Sequence, residues 1–227
     1  MQADVEYAHR RLRGTVWQNW ASARAAYALV LALGRGLGSV GFSANSLTFA
    51  ALVLAAASGV AAAFAHFGVA ALLLAASGIC DVLDGVVARA TATSGAFGAL
   101  LDSTVDRLSD ALPLLGLVAF YSSSWLVLVP AATMMATFSV SYVRARAEGL
   151  GVNLPPLYMR RAERTLLLIG LLAVGELPLP GPVPAPLLAV GVALLGVLSL
   201  AGSIGALSAA RRSLASRDDK APSSVLN

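Results

Sequence analysis

Five aspartates sit where a carboxylate is costly. Asp81, Asp84, Asp102, Asp106 and Asp110 fall inside two long apolar stretches of a 227-residue chain. An ionised carboxylate in hydrocarbon costs several kcal/mol, so intramembrane acids face an interior, a cavity or a partner. Asp81 and Asp84 are three residues apart, and Asp102 and Asp106 are four apart. On helices, each pair shares one face. Four carboxylates drawn into a small volume stay ionised only if something cationic neutralises them. A hard divalent cation with oxygen ligands is the natural answer. Gly85 and Ala88 lie on the Asp81/Asp84 side of their helix, and Gly98 precedes Asp102 by about one turn. Small residues there leave room for a ligand near the backbone, or for close helix packing. Close packing alone would explain the glycines. It does not explain the acids.

The elements that position these acids must be membrane helices. The chain is 58% hydrophobic and only 12% charged, and residues 36–80 contain no Asp, Glu, Lys or Arg. A spanning helix needs about 20 predominantly apolar residues, so that run alone holds two. One cysteine excludes a disulfide scaffold, and the apolar content excludes a disordered chain. A nucleic-acid partner is not expected despite the net charge of +4; the expected surroundings are a lipid bilayer. Breaks in the apolar runs predict spans over 43–65, 67–91, 95–121, 124–148, 162–177 and 183–208. The connections Ala65-His66-Phe67-Gly68, Tyr121-Ser122-Ser123-Ser124 and Glu176 to Pro184 contain no Lys or Arg. All 16 basic residues lie before the first span, beside the even-numbered connections, or after the last span. By the positive-inside rule that side is cytoplasmic. The expected fold is an all-α, six-transmembrane-helix bundle, N-in/C-in, multi-pass in the cytoplasmic membrane.

The sequence divides further. Residues 1–42 interleave Arg10, Arg11, Arg13, Arg24 and Arg35 with Trp17, Trp20 and Tyr27. That pattern suits an amphipathic segment lying in the interface. Residues 43–208 form the membrane domain, and 209–227 read as a disordered cytoplasmic tail. Cys80 and His66 read as a small buried residue and an outer-turn residue. Asp81 lies eight residues before Arg89, ~12 Å along a helix, and Asp102 lies seven after Gly95, ~10 Å. The two pairs should therefore meet at one level, opening toward the cytoplasm.

The stretch Asp81-Val-Leu-Asp84-Gly85-Val-Val-Ala88-Arg89, eight further residues, and Gly98-Ala-Leu-Leu-Asp102-Ser-Thr-Val-Asp106 resembles the CDP-alcohol phosphotransferase signature at every fixed position. The resemblance implies a homodimeric enzyme holding two ions, Mg²⁺ or Mn²⁺. It would move a substituted phosphate from CDP-diacylglycerol, or a related CDP-lipid, to an acceptor hydroxyl and release CMP. It implies metal ligation by Asp81, Asp84, Asp102 and Asp106, with Asp106 taking the proton from the attacking hydroxyl. Asp84, Gly85, Ala88, Arg89 and Gly98 would border the nucleotide. Ser43-Ala44-Asn45-Ser46-Leu47-Thr48 keeps the family's Asn45 and Thr48 but has Ala44 where a proline is frequent. Asn45 is thus either a nucleotide contact or a helix cap. Asp110, one turn beyond Asp106, is expected to have a structural hydrogen-bonding role.

Arginines supply a second theme. Arg107 directly follows Asp106, Arg144 ends the fourth span, and Arg164 opens the fifth. Together they could clamp an anionic acceptor, since guanidinium suits phosphate bidentately. Ser141-Tyr142-Val143-Arg144-Ala145-Arg146-Ala147-Glu148 and Arg161-Ala162-Glu163-Arg164 resemble the inositol-phosphate branch of the family. That likeness implies a phosphorylated alcohol acceptor, with Ser141, Arg160 and Arg161 joining the clamp. The branch's further arginine late in the last helix is replaced here by Ser203-Ile204-Gly205-Ala206. Glycerol 3-phosphate, serine and free inositol remain alternative acceptors. A cation-coupled transporter would also carry intramembrane acids, but near the midplane and on broken helices.

Overall fold

The computed structural model describes residues 32–34, 36, 41, 43–90, 95–155, 158–177 and 185–218. Among them are no strands and six long helices: α1 (Ala44–Ala63), α2 (Phe67–Ala90), α3 (Ala96–Phe120), α4 (Leu128–Gly149), α5 (Arg161–Gly175) and α6 (Pro186–Asp218). A 3-10 turn, Trp125–Val127, leads into α4. Four of these, α1, α2, α4 with its turn, and α6, are long and apolar enough to cross a membrane. The chain is a multi-pass membrane protein. Helix α3 has the length, but carries Asp102, Asp106, Arg107 and Asp110. Helix α5 has 15 residues, ~22 Å, against a hydrocarbon core of about 30 Å.

The ends of the helices have local causes. Ser43 caps α1, its Oγ accepting from the Ser46 amide at 3.2 Å. At the other end, Ala65 N–H reaches Ala62 O at 3.1 Å and His66 N–H reaches Ala61 O at 2.9 Å. These are the paired bonds of a Schellman motif, and they place Ala65 at φ 61. The same motif closes α4, where Gly151 and Val152 donate to Glu148 O and Ala147 O at 2.8 and 2.9 Å. There the left-handed position is a glycine, at φ 70.

Packing closes the six helices into a ring in the order α1, α2, α5, α6, α4, α3 and back to α1. Glycines permit the tightest crossing. A Cβ on Gly116 of α3 would stand 2.0 Å from the Gly59 carbonyl oxygen of α1. Buried hydroxyls join other neighbours. Ser58 and Ser77 donate to Ala70 O and Ala51 O at 2.8 and 2.7 Å between α1 and α2. Thr133 donates to Val192 O at 2.8 Å between α4 and α6. With no aqueous alternative, such bonds favour association of helices. An apolar core including Phe67, Leu74, Leu114, Leu117, Leu172 and Leu188 fills the ring toward the turns at 64–66 and 121–124.

One alternative fails, and one boundary needs correction. Helices α2 and α3 make little direct contact, because α1 packs against both; their acids meet across the interior instead. The last helix also does not end at 208. It continues to Asp218, because Ala210 and Leu214 pack with Ala147, Val152 and Leu154 of the α4–α5 connection. The interfacial segment expected over 1–42 lies almost wholly outside the described residues, as does the tail beyond 218.

Candidate active site

Three elements deliver the acids and their partners to the end of the ring opposite the apolar core. From α2 comes Asp81, and from α3 come Asp102 and Asp106, one turn apart. One carboxylate oxygen from each lies within 4.8 Å of the others. Helix α5 brings Arg161, whose Nη1 lies 2.6 Å from Asp81 Oδ2 and 2.9 Å from Asp106 Oδ1. Its Nε donates to Asp110 Oδ1 at 3.3 Å.

Arg164, 4% exposed, sets the start of α5. It donates to Asp110 Oδ2 at 2.9 Å, Ser141 Oγ at 3.0 Å and Met159 O at 2.8 Å. Met159 has a left-handed backbone, φ 60, and is held through that carbonyl. Asp110 therefore has the structural role expected of it: it binds both α5 arginines. Glu163 accepts from the Arg160 amide at 3.0 Å, tying off the first turn. Arg144 of α4 lies within electrostatic reach of Arg160, Arg164 and Glu163.

Asp84 faces another way. It is 4% exposed and accepts from Thr48 Oγ1 of α1 at 2.7 Å. It remains within electrostatic reach of Asp81 and Asp102. Among the described residues, a Cβ on Gly85 would meet only the Arg89 guanidinium, at 3.2 Å, and one on Gly98 would meet nothing within 4 Å. Neither glycine serves a close helix crossing among those residues. Ala88 is half-buried beside them. Asn45 is exposed inside the first turn, and Ser43 does the capping; the cap reading of Asn45 does not hold. Arg107 folds back to the Ser103 carbonyl of its own helix. The structure does not bring it to the acidic cluster.

The donor set suits a hard divalent cation. Oxygen ligands at 2.0–2.6 Å from such an ion stand at most ~5 Å apart, consistent with the 4.8 Å spread of Asp81, Asp102 and Asp106. Sequence reasoning missed how Arg161 is used. A signal was present: Asp106 and Asp110 are four apart on α3, and Arg161 and Arg164 are three apart on α5, two faces of opposite charge.

Comparison with known proteins agrees with this chemistry. Residues 42–204 match the CDP-alcohol phosphatidyltransferase family model. An archaetidylinositol phosphate synthase of Methanothermobacter thermautotrophicus is 38% identical over 130 residues, 57% of this chain and 66% of that protein. The chain thus spans just under two thirds of that relative's length. A phosphatidylinositol phosphate synthase of Mycobacterium tuberculosis is 32% identical over 188 residues, 78% of this chain and 83% of that one. A crystal structure of the Mycobacterium tuberculosis phosphatidylinositol phosphate synthase with manganese and citrate superposes with a TM-score of 0.72 at 27% identity, covering 81% of this chain and 90% of that one. Another, with CDP-DAG bound, gives a TM-score of 0.69 at 27% identity, covering 80% and 92%. Signature, ring of helices and acidic cluster converge: the chain belongs to the CDP-alcohol phosphatidyltransferase family.

Proposed function

We propose that this protein transfers the phosphatidyl group of CDP-diacylglycerol, or of a related CDP-lipid, to a phosphorylated alcohol, with inositol phosphate the preferred acceptor. The observation that carries the reading is the convergence of Asp81, Asp102 and Asp106 beside the α5 arginines. The names of the mycobacterial and archaeal relatives support the acceptor.

Asp81, Asp84, Asp102 and Asp106 would hold two divalent cations, Mg²⁺ or Mn²⁺. When bound, such ions neutralise charge on the attacking and leaving oxygens of an in-line displacement. The chain's own residues do the rest. Asn45, Thr48, Asp84, Gly85, Ala88, Arg89 and Gly98 border the cytidine nucleotide, the glycines leaving room for it. The acceptor hydroxyl attacks the phosphorus bearing the lipid, Asp106 takes its proton, and the bond to CMP breaks. Ser141, Arg144, Arg160, Arg161 and Arg164 orient the acceptor phosphate, with Arg107 at the margin. All six helices cross or enter the cytoplasmic membrane with both termini inside, so the site opens to the cytoplasm. A homodimer is the expected assembly.

Purified protein incubated with CDP-diacylglycerol and Mg²⁺ should release CMP with inositol phosphate, and not when EDTA is in excess. Glycerol 3-phosphate is the second reading, because it would use the same clamp. Release with free inositol or serine alone would overturn the phosphate-acceptor assignment.

A further inference from the structure

We infer that Arg161 competes with the divalent cation for the acidic cluster and must leave it when the cation binds. The inference rests on the proposed metal site and adds a device that regulates its loading. One nitrogen, Nη1, bridges Asp81 Oδ2 at 2.6 Å and Asp106 Oδ1 at 2.9 Å. A cation held through those same two oxygens would need the space that Nη1 fills. A guanidinium cannot be deprotonated in a protein, so it cannot lose its charge to admit the cation. It must move.

The surroundings favour a short, guided movement. The Arg161 side chain is 26% exposed and so is not sealed within the bundle. Its Nε is held separately, by Asp110 Oδ1 at 3.3 Å. Asp110 is anchored in turn by Arg164 at 2.9 Å. The Asp110 contact can thus persist while Nη1 turns away from Asp81 and Asp106, swinging toward Arg164 and Ser141. Arg161 would then serve two purposes in sequence. It offsets repulsion among the carboxylates before loading, and afterwards presents a freed guanidinium beside the arginines assigned to the acceptor. Metal binding would precede full assembly of the anion site.

The experiment is set against one other arrangement. Each carboxylate has a second oxygen, and Arg161 could orient Asp81 and Asp106 while a cation used the others. The two arrangements differ in sign. Full-length protein in detergent, stripped with EDTA, would be titrated with Mn²⁺ and free Mn²⁺ followed by electron paramagnetic resonance. Competition predicts that Arg161→Gln binds Mn²⁺ roughly ten- to a hundredfold more tightly than wild type, the range expected for losing a charge-assisted contact. Arg161→Lys, which keeps the charge but cannot bridge in the same way, should fall between. Without metal, Arg161→Gln should melt lower than wild type, and saturating Mn²⁺ should close the gap. Unchanged or weaker Mn²⁺ binding by Arg161→Gln would overturn the competition. Asp102→Asn, which alters the cluster without removing a carboxylate in direct contact with Arg161, separates the metal site from the competition. If Asp102→Asn loses Mn²⁺ and Arg161→Gln gains nothing, only the competition fails. If wild type binds no Mn²⁺, the metal site fails with it.

Discussion

One hydroxyl holds the carboxylate of Asp84, which is 4% exposed, through a 2.7 Å bond from Thr48. Replacing Thr48 by Val keeps the side-chain shape and removes the donor, which should destabilise the protein by about 1–3 kcal/mol. Thr48→Ser should restore most of that. Thermal unfolding in detergent decides it, and equal melting of Thr48→Val and wild type would show that the bond carries nothing. Asp106 makes a different prediction. Asp106→Asn preserves shape but removes the proposed proton acceptor, so CMP release should fall by roughly 10²–10⁴-fold, while CDP-lipid binding survives in part. A near wild-type rate would move the base elsewhere. The five aspartates were legible in the sequence because acids in an apolar run have few innocent explanations. Arg161 was not. Its reach into the cluster depends on where α5 begins, which Arg164 fixes through the Met159 carbonyl and Asp110.

Helix boundaries were readable where glycine, serine or proline interrupts an apolar run, and not where such signals are missing. After 208 the sequence Ala209-Ala210-Arg211-Arg212-Ser213-Leu214-Ala215 contains no glycine or proline, and α6 runs on through Ser213 to Asp218. Nor does sequence say which glycines pack. Gly59 and Gly116 make the close crossing of α1 and α3, while a Cβ on Gly98 would meet none of the described residues; both kinds look alike in a string of small residues. The two Schellman turns make a matched test at this scale. Gly151 adopts its left-handed conformation without a Cβ, whereas Ala65 does so with one, at φ 61. Left-handed backbone costs a non-glycine residue about 1–2 kcal/mol, partly offset by the entropy glycine loses on folding. Ala65→Gly should therefore stabilise the protein by about 0.5–1 kcal/mol, visible as a higher melting temperature. A lower one would mean that the alanine methyl packs better than its conformation costs.

At the scale of the molecule, the ring order α1, α2, α5, α6, α4, α3 brings three helices, not two, to one site. That order was not legible, because residues facing lipid and residues facing the interior are equally apolar here: Leu72 is 73% exposed and Leu74 4%. The charge asymmetry was legible, and it predicts an orientation that labelling can test. A Cys introduced at exposed Ser123 (Ser123→Cys, with Cys80→Ser to remove the native thiol) should react with an impermeant maleimide only from outside the cell. Labelling from the cytoplasm alone would invert the topology. The same ring sets carboxylates from α2 and α3 against arginines from α4 and α5, and this polarity bears on the acceptor. A phosphate dianion placed beside Asp106 meets repulsion that only nearby cations can offset. Arg164 is a poor probe of that role, since it is buried and holds Asp110 and Met159, so its removal would disturb the fold. Arg144 is better placed: it is half-buried and within electrostatic reach of Arg160 and Arg164. Arg144→Ala should lower kcat/KM for inositol phosphate by roughly ten- to a hundredfold, the loss of a charge-assisted contact of ~1.5–3 kcal/mol. The apparent affinity for CDP-diacylglycerol should hardly change, because the residues proposed to border the nucleotide lie on α1, α2 and the start of α3. Equal losses for both substrates would instead mark Arg144 as a structural residue and shift the clamp to α5 alone.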